Sequence, residues 1–244
     1  MKTVTPSGLR PALGRISSIW RYPVKSLVGE EILSVHVDER GLQGDRLWAV
    51  RDPDGRLGSG KSTRRFSKMD GLLQLAARAD GDVPALSFPD GRVLRGDDPA
   101  VHAALSAHLG RPVALAREQD LSHFDEGPVH LVTTASLRAL EQGQGAVVEP
   151  RRLRPNLVLE TDAGPAFLED DWVGRQVEIG ERLVLAIRAP MPRCVMITLP
   201  QAELAAEPHL LKTLGELNDA QIGVVADVVV PGPVAVGDQA RLVG

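Results

Sequence analysis

The sequence contains a single thiol, in the stretch Met191-Pro192-Arg193-Cys194-Val195-Met196. Because no second cysteine is present, Cys194 cannot form a disulfide within the chain. It is therefore either a small core residue or a reactive thiol or metal ligand. Arg193 places a permanent cation one residue away, which favours the thiolate wherever the two groups face the same space. Core packing is the ordinary role of a lone cysteine, so the rest of the chain has to decide between these roles.

Four further motifs carry cations or hydroxyl groups suited to binding an anion. They are Tyr22-Pro23-Val24-Lys25-Ser26, Gly44-Asp45-Arg46, Thr133-Thr134-Ala135-Ser136 and Arg154-Pro155-Asn156. Each also has an ordinary explanation: a solvated lysine in a turn, a structural Asp–Arg pair, helix capping by Thr134, and an exposed arginine loop. Taken singly, these motifs leave both interpretations open.

The segment Gly55–Ser62 fits the phosphate-binding pattern GxxxxGK[ST] at every position. That site needs a buried strand ending at its first glycine and a helix beginning at its lysine. Here the preceding strand is predicted to end near Val50, and residues 51–55 have the composition of a hairpin turn. Residues 63–68 lack the apolar stripe of a helix. We therefore predict a turn, with a nucleotide-binding protein as the alternative.

Composition narrows the classes of function. The 244 residues carry 28 Lys and Arg against 32 Asp and Glu, a net charge of −4, which argues against general nucleic-acid binding. No run of 18 apolar residues occurs, so no membrane span is predicted. The polar first 15 residues show no secretory signal, and the chain has one cysteine. We therefore expect a cytoplasmic protein.

Short strand patterns separated by Asp-Gly turns, few helices and no strand–helix alternation predict a mainly β, barrel-like fold. One of these strands is predicted over 72–78 and another over 129–133. A helix is predicted from Pro99 to Gly110, capped by Asp98. The polar stretch 118–127 is the predicted boundary between two closely packed lobes, residues 15–117 and 122–244.

The order of the motifs is more specific than any one of them. Over residues 15–243 it runs Tyr-Pro-Val-Lys-Ser, Gly-Asp-Arg-x-Trp, Leu-Val-Thr-x-Ala-Ser-Leu, Arg-Pro-Asn, Glu-Asp-x-Trp, Arg-Cys and Pro-Gly…Val-Gly-Asp. This order resembles the MOSC family, in the branch with an N-terminal β-barrel domain. The resemblance makes 15–117 that N-terminal domain and 122–244 the MOSC domain carrying Cys194. Two segments depart from the family pattern, Lys61–Arg65 and Leu199–Glu203.

The resemblance implies a molybdenum cofactor, Mo-molybdopterin, with Cys194 as metal ligand and catalytic residue. It implies a cofactor pocket lined by Lys25, Ser26, Arg46, Thr134, Ser136, Arg154, Asn156 and Arg193. A soft thiolate suits molybdenum, and the cations suit a phosphate. Glu169 or Asp170 is the candidate carboxylate for protons or for bonding around the site.

The implied activity is an oxidoreductase that reduces N-hydroxylated small molecules. The sequence contains no Cys-rich ferredoxin extension, so its electrons would come from a separate redox protein. A persulfide carrier acting through Cys194 and a cofactor-free binding module are the alternatives within this fold. An association with pyridoxal phosphate is also open for this family.

Overall fold

The computed structural model describes residues 12–162 and 164–243, and strands are its main regular secondary structure. The strands of the first half are β1 (Ala12–Arg21), β2 (Glu30–Ile32), β3 (Ser34–Asp38), β4 (Gly41–Leu42), β5 (Trp48–Arg51), β6 (Leu57–Ser59), β7 (Phe66–Lys68), β8 (Ala76–Asp80), β9 (Val83–Ser87), β10 (Val93–Arg95) and β11 (Ala114–Arg117). Those of the second half are β12 (Val129–Thr133), β13 (Leu157–Glu160), β14 (Gln176–Ile179), β15 (Leu183–Pro192), β16 (Gln221–Val230), β17 (Gly232–Ala235) and β18 (Gln239–Val243). The mainly β prediction is confirmed.

Helices are few and short. The α-helices are α1 (Ala100–Leu109), α2 (Thr134–Gln144) and α3 (Leu210–Asn218), and the 3-10 turns are Leu72–Gln74, Pro150–Leu153, Leu168–Trp172 and Val195–Thr198. Nowhere in 12–162 or 164–243 is a helix both long and apolar enough to cross a membrane.

Seven strands form a closed barrel in the order β13-β12-β16-β15-β14-β18-β1, because β1 pairs with both β18 and β13. Ala12 pairs with Arg241, and Ile19 pairs with Leu157. The first strand therefore belongs, by its hydrogen bonds, to the barrel built mainly from the second half of the chain. The boundary between two lobes at residues 118–127 therefore remains a prediction from the sequence.

The inside of the barrel is filled by aliphatic side chains, among them Leu131, Leu157, Leu185 and Val224, all fully buried. Burying one such side chain stabilises a fold by about 1.5–3 kcal/mol. A second apolar cluster packs α1 against the three-stranded sheet β10-β9-β8. The loops described below adjoin the barrel strands β1, β13 and β15, and strand β5 of a four-stranded sheet, β11-β5-β6-β7.

The local predictions have mixed outcomes. The helix before Gly110 is confirmed, and Gly110 ends it at φ 64°. It begins at Ala100 with Pro99 as N-cap, one residue later than predicted, and Asp98 Oδ1 accepts a hydrogen bond from Ala100 N at 2.8 Å. The strand predicted over 72–78 is partly wrong. Its first residues form the 3-10 turn Leu72–Gln74, and β8 begins only at Ala76.

The Gly55–Ser62 segment contains the end of a hairpin turn, strand β6 and the start of a loop. β5 and β6 pair antiparallel at Arg51 and Leu57, and Asp52 Oδ1 accepts the backbone N–H groups of Asp54 and Arg56. Residues 60–65 form a loop with no helix. A phosphate-binding loop requires a helix that begins at Lys61, and no such helix is present in this loop. The structure therefore supports the turn and not the nucleotide-binding site.

Candidate functional site

Cys194 lies in a cavity of about 180 Å³ that also contains six basic side chains; we call it the cation cavity. Its basic residues are Lys25, Arg46, Lys61, Arg152, Arg154 and Arg193, and its other lining residues include Ser26, Asp125, Glu126, Met191, Cys194 and Met196. The structure thus brings together six of the predicted site residues, which lie up to 169 positions apart. The local charge is positive although the whole chain is acidic.

The lining residues lie on loops that adjoin strand ends. Residues 22–26 follow β1, 45–47 precede β5, 154–156 precede β13, and 193–197 follow β15. Backbone bonds join the first two loops: Arg46 N donates to Tyr22 O at 2.7 Å, and Lys25 N donates to Trp48 O at 2.8 Å. β15 reaches the site through two prolines, with register irregularities near Pro190 and Pro192, and ends two residues before Cys194.

Lys25 is 2 % exposed, and its Nζ donates to Asp125 Oδ1 at 2.7 Å. Its ammonium also lies 4.9 Å from the ring centroid of Phe66. Burial lowers the pKa of Lys25 to about 8, although Asp125 acts in the opposite direction. At neutral pH it is therefore still a cation, held in a poorly solvated position.

Arg46 and Arg154 share one aromatic partner. Their guanidinium carbons lie 4.7 and 4.2 Å from the ring centroid of Tyr22, within range of a cation–π interaction. Arg46 forms an ion pair with the fully buried Asp45 and donates to Arg154 O at 3.2 Å. Burial lowers the pKa of Arg154 to about 10. Its buried Nη2 has no hydrogen-bond partner within the described residues.

Arg193 is held from behind by backbone carbonyls and a histidine. Nη1 donates to Leu153 O at 2.7 Å, Nη2 donates to Ile222 O at 2.8 Å, and Nη2 also contacts His130. Burial and Arg193 hold the pKa of His130 well below its usual range, so the imidazole is neutral and can accept. Burial lowers the pKa of Arg193 to about 9, whereas Cys194 raises it.

Three lining residues have left-handed backbone conformations: Ser26 at φ 63°, Arg46 at φ 50° and Arg154 at φ 52°. Such conformations cost non-glycine residues on the order of 1–3 kcal/mol each and persist where the surroundings fix them. Hydrogen bonds supply part of that constraint here, since Ser26 Oγ donates to Gly58 O at 3.0 Å. Strain gathered around one cavity is typical of a functional site.

The protein offers few metal ligands beside the thiol. Cys194 is partly buried, and the parts of the chain that the structure describes contain no group of three His, Cys, Asp or Glu side chains suited to a metal. A metal bound at Cys194 would therefore need ligands supplied by a cofactor or by solvent.

Thr134 and Ser136, which the resemblance assigns to the cofactor pocket, lie outside the lining of the cation cavity. Ser136 Oγ donates to Glu169 Oε2 at 2.6 Å. Thr134 Oγ1 lies within hydrogen-bond distance of Thr161 Oγ1, at 3.4 Å. The helix cap is Thr133, one residue before the predicted Thr134. Its hydroxyl also donates to Glu169 Oε2, at 2.7 Å. The anion at this helix start is thus the chain's own carboxylate, whose pKa burial raises.

Asn156 supports the cavity from behind and is 1 % exposed. Its Oδ1 accepts from His130 N at 3.1 Å and from Arg46 Nη1 at 3.4 Å, and its Nδ2 donates to Trp20 O at 3.2 Å. Asp170 accepts from Asn218, and neither Asp170 nor Glu169 lines the cation cavity. Direct cofactor contacts by Thr134, Ser136 and Asn156 therefore remain predictions without support from this geometry.

Comparison with known proteins identifies the family. The MOSC domain model matches residues 90–241, and the MOSC N-terminal beta barrel domain model matches residues 13–90. The chain belongs to the MOSC family. Both models together extend from β1 to β18, so the closed barrel and the cation cavity lie within the matched region.

Named relatives are distant. Mitochondrial amidoxime reducing component 2 of Rattus norvegicus is 24 % identical, over 83 % of this chain and 72 % of that protein. A molybdenum cofactor sulfurase of Drosophila grimshawi is 26 % identical, over 88 % of this chain. The present chain spans only 31 % of that sulfurase.

One solved structure shares the fold over nearly the whole chain. The YUAD protein of Bacillus subtilis aligns with a TM-score of 0.54 and 14 % identity, covering 96 % of this chain and 98 % of that one. At this identity the likeness concerns the fold alone.

Sequence reasoning missed several residues of this MOSC cavity. Lys61 lies in the Gly55–Ser62 motif and in the segment that departs from the family pattern, and its place in the lining of the cation cavity was not predicted. Asp125 falls in the polar stretch treated as a boundary, and its acidity gave no sign of its partner Lys25. The one available signal was the departure of Lys61–Arg65 from the family pattern, which marked this loop as unusual.

Proposed function

We propose that this MOSC protein is a molybdenum-cofactor-dependent oxidoreductase that reduces N-hydroxylated small molecules, with Cys194 as the protein's metal ligand. The observation that carries the proposal is the position of the chain's one thiol in a cavity with Lys25, Arg46, Arg154 and Arg193. The names of the amidoxime reducing relatives agree with it.

The residues present fit an anionic, sulfur-bearing cofactor. The buried Nη2 of Arg154 lacks a partner within the described chain, so it is available to a phosphate or another acceptor. Lys25 adds one buried cation, and Arg46 and Arg193 add two partly buried ones, whose desolvation an anion would offset. A thiolate is a soft ligand suited to molybdenum bound by further sulfur atoms. When bound, the cofactor supplies two-electron redox chemistry at its metal.

The residues of the cation cavity would bind the anionic cofactor and orient it. Arg46 is fixed by Asp45, the Tyr22 ring and Asn156, so its donors are ordered before any ligand arrives. Neutral His130 accepts a hydrogen bond from Arg193, the residue that precedes Cys194, and so fixes the position of the Arg193 guanidinium. Lys25 holds its proton at Nζ at neutral pH and presents positive charge to the cavity.

The overall reaction breaks the N–O bond of an N-hydroxylated substrate. Two electrons and two protons convert R–NHOH to R–NH₂ and water. A separate redox protein is proposed as the source of the electrons, because one cysteine cannot hold an iron–sulfur cluster in this chain. Solvent at the open side of the cavity supplies the protons.

Elemental analysis and one assay test the proposal. Purified protein loaded with the cofactor should contain molybdenum and reduce benzamidoxime with a chemical electron donor. Cys194→Ala should abolish the reduction, and Cys194→Ser should lose most of the rate because a hard oxygen replaces a soft sulfur. Full activity of Cys194→Ala, or cofactor-loaded protein without any reduction, would contradict it.

A sulfur carrier is the second candidate, and one observation favours it. The match to molybdenum cofactor sulfurases covers 88 % of this chain, and a partly buried cysteine beside a basic cavity also suits a persulfide. Incubation with a cysteine desulfurase and cysteine should then add one sulfur atom to Cys194, visible by intact-protein mass spectrometry. That adduct in a molybdenum-free protein, with no reductase activity after cofactor loading, would favour the carrier.

A further inference from the structure

A second cavity, of about 160 Å³, adjoins the cation cavity, and we call it the apolar cavity. Its walls include Met69, Leu72, Leu73, Met196, Leu199 and Pro200. Neither a lysine nor an arginine lines it, in contrast to the cation cavity. Two spaces, one with six basic side chains and one with none, therefore lie next to each other, and Asp70 and Gln74 are the polar residues of the second lining.

Met196 lines both cavities. Ser59 and Lys61 line the cation cavity, whereas Gly60 between them lines the apolar one. Gly60 N donates to Met196 Sδ at 3.0 Å. A Cβ atom at Gly60 would lie 2.4 Å from that sulfur and 2.6 Å from Leu199 Cδ1. The contact between Gly60 and Met196 is thus a closed partition with no spare space.

The backbone of this partition is held in place. Met196 O accepts from Leu199 N and from the side chain of Gln201, which is 3 % exposed. Ala202 N then donates to Leu73 O at 2.8 Å, which joins this loop to the far wall of the apolar cavity. The Met196 side chain, in contrast, is unbranched with three rotatable bonds and adapts readily to a ligand.

We propose that Met196 is a specificity-determining residue whose side chain swings aside to admit the apolar arm of a substrate into the apolar cavity. This inference rests on the proposed function and names its substrate class: N-hydroxylated compounds whose polar group lies in the cation cavity and whose other end is an aryl or alkyl group. Burial of the arm among aliphatic and thioether groups favours binding, and the free energy needed to displace the Met196 side chain opposes it.

The test compares two substrates in the cofactor-loaded protein. Acetamidoxime carries no arm, and 4-phenylbenzamidoxime carries a long one. Met196→Ala removes the wall and should raise the kcat/KM ratio of the long to the short substrate about tenfold, the lower range for one apolar group. Met196→Ile is stiff at χ1 and should lower the ratio. Leu199→Trp fills the apolar cavity, leaves the lining of the cation cavity intact, and should also lower it.

Binding without turnover gives a second measurement. With no electron donor present, calorimetry should show tighter binding of 4-phenylbenzamidoxime to Met196→Ala than to wild type, with no such gain for acetamidoxime. Equal changes for both compounds in all three variants, in kinetics and in binding, would overturn the role of Met196. Wild-type protein that reduces neither compound would instead refute the proposed function, so the two failures are distinguishable.

Discussion

The ammonium group of Lys25 lies 2.7 Å from the carboxylate of Asp125, one hundred residues further along the chain. Lys25 is almost completely buried, whereas the Asp125 side chain is 47 % exposed. The pair links the loop after β1 to the stretch that precedes β12. Because burial lowers the pKa of Lys25 to about 8, the charge of the cation cavity depends on pH close to neutrality.

Anion affinity should therefore fall as pH rises through about 8. Above its pKa, Lys25 loses its proton and stops attracting the ligand, whereas below it the cation is present. Sulfate is a suitable probe, because it keeps its double negative charge across this pH range. Calorimetric titration should show the decline in wild type and a flatter profile in Lys25→Met. The same profile in both proteins would contradict this assignment.

Arg154 and Arg151 form a matched pair for mutation. Arg154 lines the cation cavity with an unpartnered Nη2, whereas Arg151 forms ion pairs with Glu149 and Glu203 outside it. Arg154→Ala should reduce cofactor retention roughly tenfold or more, the value of one charge-assisted hydrogen bond. Arg151→Ala should leave retention unchanged. Molybdenum content after gel filtration measures both, and equal retention by the two variants would contradict the prediction.

Lys61 should act on the cofactor and not on nucleotides. It lines the cation cavity, and the loop at 60–65 lacks the helix that a nucleotide phosphate site needs. ATP and GTP should produce no shift in melting temperature, whereas Lys61→Ala should lower molybdenum retention. A shift of several degrees with ATP that disappears in Lys61→Ala would restore the nucleotide-binding interpretation.

Much of the site could be predicted because the order of the motifs along the chain matches a known family, whereas the spacing of the single residues does not show that they meet. Lys25, Arg46, Arg154 and Cys194 are far apart in sequence, and no periodicity indicates that they meet. Only the family resemblance brought them together before the structure did. The strands and turns were predictable for a different reason, since alternation and Asp-Gly pairs act locally.

The remaining features depend on contacts between distant elements. The sequence indicated an anion site at Thr134 and Ser136, but Glu169 reaches that helix start from 33 residues beyond Ser136. Closure of the barrel by β1 was equally hidden, because partners of a strand cannot be read from its own residues. The partition at Met196 depends on one contact across 136 positions, with Gly60.

Asn156 should be important for both stability and cofactor retention. Its buried amide bonds to His130 N, Trp20 O and Arg46 Nη1, so Asn156→Ala leaves several polar groups unpaired and releases Arg46. We expect a loss of about 1–3 kcal/mol in the free energy of unfolding and weaker molybdenum retention. Asn218→Ala is the control, because its amide bonds to Asp170 and Gln221 away from the cavity lining. Urea unfolding of the cofactor-free proteins should show a loss in Asn156→Ala, and only this variant should lose metal. If Asn156→Ala is destabilised but retains molybdenum fully, its support of Arg46 is not needed for binding.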